Sequence, residues 1–116
     1  MLKVKRVYEP PAKEDGIRIL VDRVWPRGMT KEKARVDEWR RDLGPTEALR
    51  KWFGHDPAKW DEFRLRYRED LKARSKWEDL RALGERAKKE NVTLVYSARD
   101  EAHNQAIALK EMVLGR

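Results

Sequence analysis

The stretch from Val92 to Asn104 constrains the fold of this chain more than any other part. An apolar run, Val92 to Tyr96, stops abruptly at Ser97 to Asp100, and a helical pattern then continues to the C-terminus. Strand, tight loop and helix in this order are typical of α/β proteins, in which ligands bind beyond the carboxyl ends of the strands. Helix N-terminal N–H groups and the helix dipole favour anions there. The sequence therefore predicts a ligand site at this junction.

Three other segments are predicted as strands. Leu2 to Tyr8 alternates apolar and basic residues and is expected at a sheet edge. Ile17 to Asp22 has a nearly continuous apolar run, which is typical of a central strand buried on both faces. Val36 to Arg41 is a weaker candidate. The link from Glu9 to Gly16 is too short for a helical crossover, so the first two strands are expected to be antiparallel or non-adjacent.

Helices are predicted between the strands from caps and from apolar residues at helical spacing. Their predicted ranges are Lys31 to Ala34, Pro45 to Phe53, Pro57 to Ala73, Ser75 to Lys89 and a final helix after Asp100. Thr30 and Asp100 are expected to cap the first and the last helix, and Ser75 to open the fourth through an S-x-x-E capping box. Pro45 is expected as the first residue of the second helix, which Gly54 would end.

This alternation of strands and helices predicts the fold class. Strands joined by helices indicate an α/β fold with a small, mainly parallel sheet of three or four strands. The helices are expected to pack on the sheet in a Rossmann-like, three-layer arrangement. The whole chain, residues 1–116, is expected to form one α/β domain.

Charge and residue types limit the functions that this chain can have. It carries 28 Lys and Arg residues against 21 Asp and Glu, a net charge of +7. Such a basic chain favours anionic partners, including phosphates, carboxylates and nucleic acid. The absence of cysteine excludes disulfides, thiolate catalysis and Cys-based zinc sites. With only His55 and His103 available, no metal is expected, and without a glycine-rich nucleotide motif no cofactor is expected.

Location and source are inferred from composition as well. No apolar run reaches the roughly 20 residues of a membrane span, and the N-terminal sequence MLKVKRVYEP lacks the apolar region of a signal peptide. A cytoplasmic protein without a membrane partner is therefore expected. Charged residues make up 42% of the chain and cysteine is absent, a composition that fits a thermophilic source.

The loop after the predicted central strand carries four residues that could bind a ligand: Asp22, Arg23, Trp25 and Arg27. If the last strand is the parallel neighbour of the central one, this loop and the junction at Ser97 open on the same edge of the sheet. Arginine binds carboxylate or phosphate with two hydrogen bonds, and tryptophan offers a face for stacking. The alternative is structural, with Asp22 paired to Arg23 or Arg99 and Trp25 filling the rim of the core.

The junction after the last strand carries the remaining candidates. The ligand-binding candidates are Tyr96, Arg99, Asp100 and Asn104, and the catalytic candidates are Ser97 and His103. A Ser–His–Asp triad within this short segment is disfavoured, because the nucleophile must reach its base and the base needs a separate orienting group. A loop that binds phosphate or carboxylate is preferred. His103 is the candidate general acid or base if the domain is an enzyme.

A further aromatic cluster precedes the third predicted helix. Trp52, Phe53 and Trp60 are expected to pack in the core, since large aromatic residues at helical spacing are usually buried. His55 lies between them, and either reaches the sheet edge or only joins the turn.

A family resemblance is carried by three segments that follow one another along the chain: DGIRILVDRVWPRGMTKEKARVDEW, LRKWFGHDPAKWDEFRLRY and VTLVYSARDEAHNQA. Together they resemble the YeaO-like proteins, small bacterial and archaeal proteins within a broader family of domains of unknown function. The resemblance spans about Val4 to Leu114. It implies a compact, Rossmann-like α/β domain, a pocket at the end of the last strand and no established activity. Other branches look as though they carry Cys and His after that strand, whereas this chain has Ser97 and no cysteine, so thiol chemistry does not carry over.

Three hypotheses about function follow. The first is a domain, whether enzyme or not, that binds a small anionic molecule at the carboxyl edge of the sheet through Arg23, Arg27 and Arg99. The second is a nucleic-acid-binding or regulatory module that uses basic helical residues: Arg64, Arg66, Arg68, Lys72, Arg74 and Lys76. The third is a structural or protein-interaction domain, monomeric or homodimeric, whose own side chains fill the strand-end pocket.

Overall fold

Four parallel strands form one sheet in the computed structural model, which describes residues 1–115. The strands are β1 (Leu2–Arg6), β2 (Ile17–Leu20), β3 (Glu38–Trp39) and β4 (Val92–Tyr96). Their order across the sheet is β1-β4-β2-β3, with β4 paired to β1 on one side and to β2 on the other. The α/β class, the edge position of β1 and the non-adjacency of β1 and β2 are confirmed. The predicted strand from Val36 to Arg41 shortens to the two residues of β3.

Five α-helices connect and cover these strands within residues 1–115. They are α1 (Lys31–Ala34), α2 (Glu47–Phe53), α3 (Trp60–Ala73), α4 (Trp77–Lys89) and α5 (Gln105–Val113). Short 3₁₀ turns occupy Lys13–Asp15, Arg41–Leu43 and Pro57–Lys59. None of the helices in the described part of the chain combines the length and apolarity needed to cross a bilayer.

The helix starts differ from the sequence prediction at three places. The second helix begins at Glu47 rather than at Pro45, because the Thr46 hydroxyl accepts a hydrogen bond from the Leu49 N–H and so acts as its cap. Ser75 has a positive φ of 60° and forms no capping box, and Lys76 precedes α4 without a side-chain cap. The last helix starts at Gln105, so the prediction that Asp100 caps it is wrong. The predicted cap at Thr30 is confirmed.

The sheet has two faces with very different covers. Helices α2 to α5 bury one face in the main core, where Ile19, Val21 and Leu94 of the sheet region meet aromatic residues such as Phe63 and Tyr67 of α3. Successive strand residues point to opposite faces, so the intervening residues form a smaller cluster on the other side. That cluster consists of Val7, Leu20, Ala34 and Val95, with Trp25 and Trp39 packed against it. The three layers are therefore unequal, and the short α1 is the helix on the thin side.

A buried ion-pair cluster lies just before β2, at the amino edge of the sheet. The Arg18 guanidinium, 4% exposed, donates to the Asp15 carboxylate at 2.6 Å and to the carbonyl of Ala34 at 2.8 Å. Lys5 approaches the same carboxylate at 3.2 Å. Burial raises the pKa of Asp15, but hydrogen bonds from the Ala12 N–H, Lys5 and Arg18 outweigh it, and the pKa lies below its ordinary value. This cluster is structural, and its two cations share the one carboxylate of Asp15.

Candidate functional site

A cavity of about 540 Å³ opens at the carboxyl ends of β2 and β4. These two strands are parallel neighbours, so the loops that follow them meet at one edge, as expected. Three stretches of the chain line the cavity: residues 22–24 after β2, residues 45–63 from the helical crossover, and residues 97–105 between β4 and α5. An opening therefore lies where the sequence predicts a ligand site, although the residues that line it differ from the predicted residues.

Asp22 lies at the centre of this edge and is 6% exposed. Its Oδ2 atom accepts a hydrogen bond from the backbone N–H of Ser97 at 3.0 Å, and its Oδ1 atom accepts one from the side-chain amide of Gln105. Burial raises the pKa of Asp22 above its ordinary value, and the hydrogen bonds from Ser97 and Gln105 offset part of that rise. Within residues 1–115 Asp22 forms no ion pair, so the structural alternative in which it pairs with Arg23 or Arg99 does not occur.

Three arginines stand on the wall of the cavity: Arg23, Arg50 and Arg99. The Arg23 guanidinium is held by backbone carbonyls, with Nε donating to Pro45 at 2.7 Å and Nη2 to Gly44 at 3.3 Å. Arg50 and Arg99 are exposed, and within the described part of the chain their guanidinium groups make no hydrogen bond or ion pair. No carboxylate among residues 1–115 forms an ion pair with any of the three.

The floor of the cavity is aromatic and apolar. Phe53 stacks on Phe63 with ring centroids 4.2 Å apart, and both residues line the cavity while also belonging to the core. Val24, Pro45 and Ala98 add further apolar surface. The sequence leaves open whether His55 reaches the sheet edge or only joins the turn. His55 lines the cavity, is exposed and has a positive φ of 57°. The site thus combines positive charge with a substantial apolar area.

Asp100 and His103 form a pair beside the cavity. The Oδ1 atom of Asp100 accepts hydrogen bonds from the N–H groups of Ala102 and His103, and its Oδ2 atom lies 2.9 Å from His103 Nδ1. The hydrogen bond from His103 lowers the pKa of Asp100 below its ordinary value. Asp100 lines the cavity, but the His103 ring stands edge-on to Trp60 at 5.3 Å and does not. Within residues 1–115 no hydrogen bond joins Ser97 to His103, so no catalytic triad is assembled.

Asn104, 2% exposed, has a structural task at the cavity wall. Its side-chain Oδ1 accepts from the Ile107 N–H at 3.0 Å, which makes it the N-cap of α5, and its Nδ2 donates to the Asp100 carbonyl at 2.9 Å. The polar loop 97–104 is therefore largely ordered by its own hydrogen bonds. Gln105, the first residue of α5, points its amide to Asp22.

Three of the predicted ligand-binding residues lie elsewhere. Trp25 donates its indole N–H to the Met29 carbonyl at 2.6 Å and packs edge-on against Trp39 on the thin side of the sheet. Arg27 is exposed, and its carbonyl accepts the Tyr8 hydroxyl at 2.8 Å. Tyr96 is buried in the main core, and this burial raises its pKa. The structure does not bring these three side chains to the cavity.

Sequence reasoning missed Arg50, Phe63 and Gln105 as lining residues. Gln105 follows the N-cap of α5, and the sequence prediction placed the start of this helix at Asp100 instead. No local signal marks Arg50 or Phe63, which reach the cavity through the packing of α2 and α3. No group of three or more metal-ligating side chains occurs within residues 1–115.

The basic residues proposed for nucleic acid are mostly engaged with other side chains. Arg64 binds Asp61 and Glu111, and Arg74 binds Asp70. The other pairs are Arg66 with Glu62 and Lys76 with Asp42. Arg68 and Lys72 lie over the ring of Trp77. Much of the positive charge of this helical surface is therefore neutralised by neighbouring carboxylates.

The fold and the cavity define a class: a small, parallel α/β domain with a basic and partly apolar opening at the carboxyl edge of its sheet. The chain belongs to a family of domains of unknown function, the one described as the inactive DUF488-N3 subclade, whose model matches residues 1–116. The resemblance to YeaO-like proteins is confirmed.

Curated relatives of similar length support this membership. YeaO of Escherichia coli is 41% identical over 110 residues, which cover 95% of this chain and 94% of YeaO. The uncharacterised proteins Rv3073c of Mycobacterium tuberculosis and Mb3100c of Mycobacterium bovis are each 40% identical over 115 residues, or 99% of this chain and 95% of the relative. No solved structure matches the chain.

Proposed function

We propose that this domain binds a small organic anion in the cavity at the carboxyl edge of its sheet. The observation that carries the proposal is the presence of three guanidinium groups, those of Arg23, Arg50 and Arg99, in the lining of the cavity without a carboxylate partner among residues 1–115. Other arginines of this chain form ion pairs, as Arg18 does with Asp15 and Arg74 with Asp70, although the half-buried Arg6 is held by the carbonyls of Ser97 and Ala98. Unpaired guanidinium groups facing an opening are well suited to carboxylate or phosphate.

The apolar floor indicates what else the ligand carries. Pockets for small molecules are typically 300–1,000 Å³ in volume and mostly apolar, with a few polar groups that fix orientation. This cavity, at about 540 Å³, falls in that range. The stacked rings of Phe53 and Phe63 would cover an apolar or aromatic body while the arginines hold its charged end. Inorganic phosphate alone would leave the floor exposed to water.

Binding without catalysis is the form of the proposal that the site favours. A nucleophile needs a base within hydrogen-bond reach, and Ser97 has no such contact with His103, whose ring packs on Trp60. The description of the matching subclade as inactive also supports a binding role. The alternative of a purely structural domain would require the chain's own side chains to fill the strand-end pocket, in contrast to the opening of about 540 Å³.

Isothermal titration calorimetry with three probes tests the proposal: inorganic phosphate, phenyl phosphate and 3-phenylpropionate. We expect at least one of the two aromatic anions to bind, and to bind more tightly than inorganic phosphate. Arg99→Ala and Arg50→Ala should each weaken that binding by about tenfold or more, since a hydrogen bond to a charged group contributes roughly 1.5–3 kcal/mol.

Arg27→Ala is the matched control. Arg27 is an exposed arginine on the loop after β2 but lies outside the cavity lining, so its substitution should leave affinity within about twofold. Equal effects of Arg27→Ala and Arg99→Ala would indicate general charge attraction instead of a site. Binding of RNA or DNA alone, with a steep loss of affinity in salt, would favour the nucleic-acid alternative.

A further inference from the structure

Asp22 is a buried carboxylate on the cavity wall that has no cationic partner. It is 6% exposed, and the groups that donate to it are neutral: the backbone N–H and hydroxyl of Ser97 and the side-chain amide of Gln105. Aspartate is seldom buried to this extent unless it is paired with a cation. Within residues 1–115 no Arg, Lys or His forms an ion pair with it, although three arginines line the same cavity.

The other strongly buried aspartate of this chain shows the usual solution. Asp15, at the opposite end of β2, is 5% exposed and forms ion pairs with both Arg18 and Lys5. At Asp22 the nearest arginine in sequence is directed away, since the Arg23 guanidinium donates to the carbonyls of Pro45 and Gly44. Arg23 is therefore not the counter-charge of Asp22, and His55 acts on this carboxylate only through a longer-range Coulombic interaction that lowers its pKa.

The Asp22 carboxylate has hydrogen-bonding capacity left for a ligand. An ionised carboxylate accepts about four hydrogen bonds, and the Ser97 N–H, the Ser97 hydroxyl and the Gln105 amide supply three of them. These donors stabilise the ionised form, whereas burial raises the pKa of Asp22. The remaining acceptor position belongs to a residue that lines the cavity.

We propose that the ligand of this cavity is a small zwitterion with an apolar body, of the α-amino acid class, and that Asp22 selects its ammonium group. This inference rests on the proposed anion site, because the arginines bind the acidic end of the same molecule. The body of the ligand packs on Phe53 and Phe63. The ammonium group donates a hydrogen bond to Asp22 and is the counter-charge that no ion pair within residues 1–115 provides. The cavity thereby distinguishes amino acids from simple carboxylates.

Three matched probes separate the two levels of the proposal. L-phenylalanine carries both charged groups, 3-phenylpropionate lacks the ammonium group and phenethylamine lacks the carboxylate. In calorimetric titrations at neutral pH, wild-type protein should bind L-phenylalanine at least about tenfold more tightly than either other probe, the size of effect expected for one additional charge-assisted hydrogen bond. Asp22→Asn should reduce its preference over 3-phenylpropionate to within about twofold, and Arg99→Ala should weaken both carboxylates by a similar factor.

Each outcome has a clear meaning. Equal affinities of wild-type protein for L-phenylalanine and 3-phenylpropionate would overturn the zwitterion inference and leave the anion site intact. A preference for L-phenylalanine that survives Asp22→Asn would overturn the role of Asp22. No binding of either carboxylate would overturn the zwitterion inference, and it would overturn the anion site as well if phenyl phosphate also failed to bind. Phenethylamine binding as tightly as L-phenylalanine would overturn both levels. The wild-type comparison needs no variant, so it decides the ligand class even if Asp22→Asn folds poorly.

Discussion

The backbone N–H of Ser97 donates a hydrogen bond to the carboxylate of Asp22 across 3.0 Å, and this single contact joins the carboxyl ends of two neighbouring strands. The second oxygen of Asp22 holds the amide of Gln105 at the start of α5. One side chain therefore fixes a strand end, a loop and a helix start relative to one another. The cavity wall depends on this arrangement.

Two substitutions at Asp22 should distinguish what its charge contributes to stability from what its hydrogen bonds contribute. In Asp22→Asn the side-chain oxygen can still accept from Ser97, and the new amide can donate to Gln105 if that side chain turns over. We expect its free energy of unfolding to stay within about 1 kcal/mol of wild type. Asp22→Ala leaves the buried Ser97 N–H without an acceptor and should lose about 1–3 kcal/mol. Urea denaturation followed by fluorescence measures both, and equal losses would contradict the prediction.

The same pair predicts a pH dependence. Because the pKa of Asp22 is raised in the folded protein, folding favours its protonated form, and ionisation costs stability as the pH rises from its unfolded value toward its folded value. The stability of wild-type protein relative to Asp22→Asn should therefore fall across this acidic interval and level off above it. Urea denaturation from about pH 3 to pH 7 tests the sign, and a difference that grows with pH would show it to be wrong.

The cap of α5 distinguishes Asn104 from Asp100. Asn104→Ala removes the acceptor of the Ile107 N–H and should lower the free energy of unfolding by about 0.5–2 kcal/mol. Asp100→Ala removes contacts only within the exposed turn to His103, and a smaller loss is expected. Thermal or urea denaturation compares the two. A larger loss for Asp100→Ala would mean that Asp100 stabilises this helix start after all.

Removing the Asp15 carboxylate from the ion-pair cluster before β2 is predicted to lower the stability of the fold strongly. Asp15→Ala leaves the buried Arg18 without its counter-charge and should cost about 3–5 kcal/mol. Because the pKa of Asp15 is lowered, its contribution is present above its unfolded pKa and is lost as the pH falls toward its folded value. The variant should therefore lose less stability on acidification than wild type does.

Glu47→Ala is the control for this effect. It removes an exposed ion pair to Lys51, for which a loss below about 1 kcal/mol is expected. Similar losses in Asp15→Ala and Glu47→Ala would show that burial of the Asp15 pair has no special weight.

Two glycines with positive φ provide a test of backbone packing. A Cβ atom at Gly16 would lie 2.2 Å from the carbonyl oxygen of Asn91, whereas at Gly28 nothing lies within 4 Å. Gly28→Ala should therefore cost only the backbone strain of roughly 1–2 kcal/mol. Gly16→Ala should cost clearly more or prevent folding, since Asn91 precedes β4 and cannot shift freely. Unfolding midpoints in urea compare the variants, and equal midpoints would contradict the close approach.

Much of the fold follows from short-range signals in the sequence. The apolar runs at Ile17 to Asp22 and Val92 to Tyr96 mark the two central strands, because strands covered on both faces need apolar residues at successive positions. Thr30 and Gly54 cap their helices as predicted, since a cap depends on one side chain or one backbone conformation. The prediction that Asp100 caps the last helix was wrong because aspartate stabilises a local turn as readily as a helix start.

The cavity could be predicted only in part. Its position follows from the parallel pairing of two recognisable strands, but its lining depends on how distant segments pack. Trp25 does not line the cavity because it packs on Trp39, a contact between segments that no local sequence pattern indicates. Arg50 and Phe63 join the site because the helical crossover covers this edge of the sheet. Helical periodicity predicts which face of a helix is buried, and not which opening it borders.

The two buried aspartates at opposite ends of β2 differ in whether an ion pair compensates their charge. Asp15 is neutralised by the chain itself, whereas Asp22 is not. A strand of four residues separates them, and the effects of substitutions at sites farther apart than about 7–10 Å usually add independently. Substitutions at the carboxyl edge are therefore expected to leave unchanged what the ion pairs of the amino edge contribute to the stability of the fold.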